Sequence, residues 1–362
     1  MFPGAVALVW RAGAEVYHEA HGLLATHPAA SVANLGAARE TVYDLASLTK
    51  VLATTTLAAI AVSEGRVSLD APVPAPWSRA CPGARLGDLL SHSAGLEAHR
   101  EYFAAHADRG PTTAAAIVEA VCRTPPAYPV GERSIYSDLG FIILGAWLER
   151  LFEGPLDRVF ADRVAWPLGL DGGLVPRLGF QRLGAARGPS PDAARRVAPT
   201  EVYDPALHPE GVPTHFALRR RDRLAHHEVH DDNAFVMGGV AGHAGLFGDA
   251  EGVLAVARAW LEGGLPGLEP PICERFWRPS GVPGSTRCLG WDGVSPDGGS
   301  TGGVLGGGAR GHLGFTGTSL WIDPDPAAPR VFILLANRVH PTRTNAAIVG
   351  VRQDFHRLAA AL

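Results

Sequence analysis

The chain has 362 residues, enough for one large domain or two lobes around a sizeable core. Hydrophobic residues make up 46% and charged residues 19%, which excludes a disordered chain; a formal net charge of −4 without a long basic run argues against a nucleic-acid partner. No apolar stretch is long enough to span a bilayer.

In chain order, AVALVW (5–10) and EVYHEA (15–20) predict two strands joined by a tight turn at Arg11-Ala12-Gly13-Ala14. The first residues lack a basic n-region and turn polar quickly, so they do not read as a signal peptide. The fold is expected to begin almost at Met1. That suits a cytoplasmic chain, or a periplasmic or secreted one whose leader has been removed. A helix is predicted over 45–64, then an irregular segment punctuated by Pro72, Pro74, Pro76 and Pro82. An Ala-rich helical stretch follows over 86–121, then a turn, TPPAYPVGERSIYSD, and a long apolar helix, LGFIILGAWLERLF. Residues 170–235, rich in Arg, Pro and His and weakly periodic, predict long surface excursions. The tract GGSTGGVLGGGARG (298–311) predicts a loop, and its spacing excludes a phosphate cradle. HLGFTGTSLWID and RVFILLANRV predict strands separated by PDPAAP, and TNAAIVGVRQDFHRLAAAL a closing helix.

Strands at both ends with helices between them predict an α+β fold whose antiparallel sheet is built from the two termini. Within one domain, a sheet lobe would take about 1–70 and 240–362, and an inserted, mostly helical lobe 71–239. Cys81, Cys122, Cys273 and Cys288 lie far apart with no C-x-x-C pair, which argues against a zinc site or a disulfide framework. A Cys81–Cys122 pair in an oxidising compartment is left open.

Three short motifs carry the chemistry. Ser47-Leu48-Thr49-Lys50 stands at a predicted helix start, which would put Ser47 and Lys50 one turn apart on one face. Tyr136-Ser137-Asp138 precedes the apolar helix. His312-Leu313-Gly314, followed by Phe315-Thr316-Gly317-Thr318, enters a strand. Between the first two lies Leu89-Leu90-Ser91-His92-Ser93-Ala94-Gly95-Leu96. A serine hydroxyl needs a nearby base to act as a nucleophile. Lys50 could serve if burial or a neighbouring cation lowered its pKa, and Tyr136 could relay a proton if the lysine's charge favoured its phenolate. Each motif alone is commonplace, but their joint occurrence in this order is specific.

Together the motifs resemble those of the serine β-lactamase and penicillin-binding-protein superfamily, in its class C β-lactamase and esterase-like branch. The resemblance runs from Pro3 to the end. It implies a β-lactamase/transpeptidase-like fold with the site between the lobes, and acyl transfer to water through an acyl-serine intermediate with no cofactor. Ser47, Lys50 and Tyr136 would be catalytic, and the backbone N–H groups of Ser47 and Phe315 would form the oxyanion hole. Asp138, His312 and Gly314 would face the substrate, a small acyl, ester or peptide molecule, with His312 bonding a substrate carboxylate. Asp138 stands where asparagine is commoner, and His312 where many relatives have lysine. Both departures favour an esterase or D-alanyl carboxypeptidase over a true class C β-lactamase. That β-lactamase and a catalytically idle, ligand-binding relative are the alternatives. The oligomeric state is not set by the sequence.

The segment HHEVHDDNAFVMGGVAGHAGLFG (226–248) gathers His226, His227, His230, Asp231, Asp232 and His243, which mimic a metal site. His227 and His230 are spaced wrongly for H-E-x-x-H, so no metal is expected. The segment resembles a stretch of the same hydrolases and is read as a loop and helix start beside the cleft. His230, Asp231, Asn233 and His243 are its candidate cleft residues, with a hydrogen-bonded brace as the other reading.

Overall fold

The computed structural model describes residues 2–105, 111–171, 176–182, 192, 196–207 and 224–362. Strands β1 (Gly4–Arg11) and β2 (Ala14–Gly22) form the expected hairpin, with Ala12 and Gly13 at positive φ in its turn. Two short strands, β3 (Tyr43–Asp44) and β4 (Leu178–Phe180), flank β5 (Leu246–Gly248) in a small sheet. Near the end come β6 (Asp292–Gly293), β7 (Arg310–Leu313), β8 (Ser319–Asp323) and β9 (Arg330–Ala336). The main sheet has the order β2-β1-β9-β8-β7-β6, antiparallel throughout. Its closing seam joins β1 to β9, from Ala5↔Ala336 to Arg11↔Arg330. The two ends of the chain therefore meet side by side, as the sequence predicts.

Alternation along the strands covers both faces of this sheet. Val6, Leu8 and Trp10 share the main core with Ile333 and Leu335 and with Val253, Val256 and Trp260 of the helix Ala250–Glu262. Ala7, Leu334 and Ala336 face the other way, against Ile348 and Phe355 of the closing helix Ile348–Ala359.

The helical part differs from the expectation in two places. The predicted helix over 45–64 begins late, as a π-helical segment, Lys50–Thr55, that runs into an α-helix, Thr56–Ser63. The stretch 86–121 is not one helix. Leu86–Leu90 ends at a turn where His92 takes a left-handed φ of 59°, and helix resumes only at Pro111–Arg123. The apolar helix, Asp138–Phe152, starts one residue early because Ser137 caps it, its Oγ accepting from Gly140 N at 3.3 Å. Of the surface excursions expected over 170–235, residues 172–175, 183–191, 193–195 and 208–223 lie outside the described residues. All four cysteines are buried free thiols. No helix among the described residues is long and apolar enough to cross a membrane.

Candidate active site

Ser47 sits on a turn held from several sides. Ala46 takes a left-handed conformation, φ 47°, which costs a non-glycine residue about 1–2 kcal/mol. Its N–H donates to Asp44 Oδ1 at 2.8 Å, and the other oxygen of this buried carboxylate accepts from His230 N at 2.6 Å. The chain beyond β7 is stitched to the same turn. Thr316 Oγ1 donates to Asp44 O at 2.6 Å and Thr318 Oγ1 to Leu45 O at 3.1 Å. Gly314 packs so tightly there that a Cβ would lie 2.6 Å from Leu45 O, so only glycine fits. The backbone N–H groups of Ser47 and Phe315 are engaged by no backbone carbonyl among the described residues, and both residues line one cleft of about 660 Å³.

After Ser47 the chain winds tightly: the N–H groups of Leu48, Thr49 and Lys50 each bond the carbonyl three residues back. This brings the fully buried Lys50 Nζ to 3.0 Å from Ser47 Oγ. The ammonium also donates to His243 O at 3.0 Å and pairs with Asp138 Oδ1 at 2.8 Å. His243 O is within reach because the backbone at Gly242 lies directly on the helix Asp138–Phe152. A Cβ at Gly242 would be 2.1 Å from Phe141 O. The same approach lets Thr54 Oγ1 donate to Gly242 O at 2.6 Å.

Tyr136 arrives from the loop before that helix, and its ring lies 4.9 Å from Lys50 Nζ. Ser137 Oγ donates to Glu97 O at 2.7 Å and Ser137 N to His92 Nδ1 at 3.0 Å, which fixes the loop. The rings of His92 and His312 lie 4.8 and 5.6 Å from that of Tyr136.

Burial disfavours charge on Lys50, but Asp138 and Tyr136 outweigh it and hold the ammonium above the ordinary lysine range. The lowered pKa that would let Lys50 act as a base is therefore absent, and it stands as a fixed cation. Burial pushes the Tyr136 phenol up, and although Lys50 pulls it back, Asp138 opposes that pull and the phenol stays above its ordinary range. Burial would also raise Asp138, but Lys50 and the hydrogen bond from His99 overcome it and leave the carboxyl well below its usual range. Burial, together with Lys50 and Arg287, holds His312 down to about 3.

The cleft brings together Ser47, Tyr136, Asp138, His230, Asp231, His312, Gly314 and Phe315 of the residues singled out from the sequence. Two assignments need correction. His312 Nδ1 donates to Leu313 O at 2.9 Å, so the neutral ring presents only a lone pair on its buried, unpartnered Nε2. A carboxylate only accepts, so this histidine has nothing to give it. Asn233 is fully buried and bonded on both sides, accepting from Phe103 N at 3.0 Å and donating to Arg100 O at 2.9 Å. It braces a loop and does not face the cleft. The His243 ring donates to Asp231 Oδ1 at 2.9 Å and lies buried; what reaches Lys50 is its backbone carbonyl. The other histidines of that segment part company: His230 bonds Glu201 at 3.1 Å, and His226 donates to Val197 O at 2.9 Å. Asp138 has both oxygens engaged, one by Lys50 and one by His99 Nδ1 at 3.1 Å.

Several cleft residues carried no sequence signal: His99, Asp292, Arg338 and Arg352, which sit in loops, on a two-residue strand or on a helix without motif spacing. Arg338 donates to Phe315 O at 2.7 Å and Arg352 to Gly314 O and Thr318 O, both at 2.7 Å. The two thus support the carbonyls around the Phe315 N–H.

The chain is 31% identical over 325 residues, 83% of its length and 70% of the relative's, to a protein of Escherichia coli (strain K12) named "Putative D-alanyl-D-alanine carboxypeptidase". Among solved structures it resembles EstCE1, a hydrolase with promiscuous acyltransferase activity, with a TM-score of 0.68, 20% identity, and 98% and 94% of the two chains covered. It also resembles a beta-lactamase from Mycobacterium bovis, with a TM-score of 0.60, 17% identity, and 99% and 95% covered. The Beta-lactamase family model matches residues 1–353, and the chain belongs to that family.

Proposed function

We propose that this protein is a serine hydrolase that cleaves an ester or amide through an acyl-Ser47 intermediate. The observation that carries the reading is the contact of Ser47 Oγ with a fully buried, protonated Lys50, beside a phenol that the same cation serves. In its minor phenolate form, which Lys50 supports, Tyr136 takes the hydroxyl proton of Ser47 while Oγ bonds the acyl carbon. The negative charge formed on the carbonyl oxygen is met by the N–H groups of Ser47 and Phe315. When the intermediate collapses, the bond to the leaving group breaks and the Tyr136 proton goes to that group. Water then repeats the sequence on the acyl-serine, and Ser47 is restored. Lys50 stays charged throughout; its task is to favour the phenolate.

The leaving side of the substrate is read as a D-amino acid with a free carboxylate, as in the activity named for the Escherichia coli relative. Arg338 and Arg352 support this. Both line the cleft next to Phe315, and neither has a carboxylate partner among the described residues. A second reading, an esterase, is favoured by Asp138, whose engaged oxygens leave no donor for an amide carbonyl.

A fluorescent fluorophosphonate, followed by peptide mapping, tests the mechanism. It should label Ser47 in the native chain, and Ser47→Ala should lose both the label and more than 95% of hydrolysis, roughly what removal of a nucleophile implies. Labelling at another residue, or retained activity in the variant, would overturn the assignment.

A further inference from the structure

Lys50 is not the only cation at the Tyr136 ring. The Arg287 guanidinium carbon lies 5.0 Å from the ring centroid, as close as Lys50 Nζ at 4.9 Å. Arg287 is in turn held by Asp292 at 2.6 Å. Asp292 is the first residue of β6 and pairs in register with Gly311, next to His312 on β7. The edge of the main sheet therefore carries an Arg–Asp ion pair to the face of the phenol. The Lys50–Asp138 pair reaches the same ring. No part of the mechanism above uses the second pair.

We propose that Arg287 is a positioning residue for Tyr136. Its guanidinium orients the ring by cation–π contact and favours the phenolate that takes the Ser47 proton, and Asp292 sets how much of that charge the ring feels. Arg287 touches no reacting atom; it acts through the phenol. A cation near an aromatic ring is attracted to its face, and a low-dielectric site makes its charge felt at the oxygen. The groups facing Tyr136 are Ser47 and Lys50 from the segment after β3, His92 from the loop after Leu86–Leu90, Asp138 from its own helix, His312 from β7, and Arg287 with Asp292 from the β6 edge. Burial holds both histidines neutral in the working range, with the cations adding to it. The charges that decide the phenol are therefore two cations and their two carboxylates. The inference rests on the reading of Tyr136 as proton acceptor.

The test is the pH dependence of kcat/KM for a p-nitrophenyl ester in four chains: native, Arg287→Gln, Arg287→Lys and Asp292→Asn. Losing the cation should move the acid limb up by about one pH unit or more, and the lysine variant should restore most of it. Asp292→Asn leaves the guanidinium less compensated and should move the limb down. A salt bridge that only holds the fold would lower Tm in all three variants and leave the limb where it was; that result, or shifts of one sign in Arg287→Gln and Asp292→Asn, overturns the proposal. Tyr136→Phe is measured alongside. If it keeps native activity, the proton-acceptor reading itself fails. If it is inactive while Arg287→Gln leaves the limb unmoved, only the role of Arg287 fails.

Discussion

Replacing Asp138 by asparagine should cost stability in a way that depends on pH with a definite sign. Lys50 is fully buried, Asp138 has a side chain 16% exposed, and their charged atoms are 2.8 Å apart. Removing one partner of such a pair costs about 3–5 kcal/mol, because the other charge is left buried. For a chain of this length the unfolding entropy near Tm is about 0.76 kcal/mol/K, so Tm at pH 7 should drop by about 4–7 °C. In the native chain Asp138 is depressed, so its contribution is present above the ordinary carboxylate pKa and is lost as pH falls below it. Lys50 is raised, so its contribution is complete below the ordinary lysine pKa and is lost only above it. The pair thus gives a plateau between about pH 4 and 10. In Asp138→Asn, burial prevails and the Lys50 pKa falls below its ordinary value. The unfolded chain then holds a proton that the folded chain lacks, and stability should climb with pH from 7 to 10. Differential scanning fluorimetry across that range reads both effects. A variant with native Tm at pH 7 and a native pH slope would refute the account of Lys50 as a charge held by Asp138.

His312 gives a second pH signature. With its pKa held down to about 3, the folded chain resists a proton that the unfolded chain takes up below about pH 6.5, so native stability erodes on acidification. His312→Gln should show a shallower loss of Tm between pH 6.5 and 4, and an unchanged slope would contradict the neutral, buried ring. For the cleft arginines, Arg338→Met should raise KM for a D-alanyl peptide with a free carboxylate by about 10–100-fold, the worth of one charge-assisted hydrogen bond. The same peptide carrying a C-terminal amide should be little affected, and equal losses on both would remove Arg338 from carboxylate recognition. Ser47→Ala, described above, should fold with native Tm, since a half-buried hydroxyl is all that is lost.

The residues legible in the sequence were those whose function depends on short spacing. Ser47 and Lys50 announce themselves because one turn of chain brings them together, and Tyr136 because it shares a motif with the cap of the next helix. The strands that close the sheet were legible because the apolar, β-branched runs over 5–10 and 331–336 suit strands buried on both faces. What was not legible is what the partner segment decides. Asp138 reads as facing the substrate, and although it does line the cleft, its oxygens are taken by Lys50 at 2.8 Å and by His99. His312 reads as a donor until its proton is seen committed to Leu313 O. Asn233 reads as a cleft residue until both ends of its amide are found spent on the loop carrying Arg100 and Phe103. The predicted helix over 86–121 failed because its alanines and leucines have helical periodicity while His92 must turn left-handed to aim Nδ1 at Ser137 N. Arg287 and Asp292 have no periodicity or motif; only the strand register places them at the phenol.

The seam between β1 and β9 makes the site depend on pairing between two segments that lie far apart in the chain. The hairpin of β1 and β2 is made long before Arg330–Ala336, and until then the edge of β1 stays open. Until then Val6, Leu8 and Trp10 lie on an unpaired apolar edge, the kind that recruits strands from other chains. Such distant pairing is slow to form. Phe315, which would complete the oxyanion hole, is carried on the same late segment, through Thr316 and Thr318. Ser47 and Lys50 can be adjacent before β9 exists, but the proposed chemistry waits for it. A product stopped short of β9 should therefore be inactive and prone to aggregate, although Ser47, Lys50 and Tyr136 are all present in it.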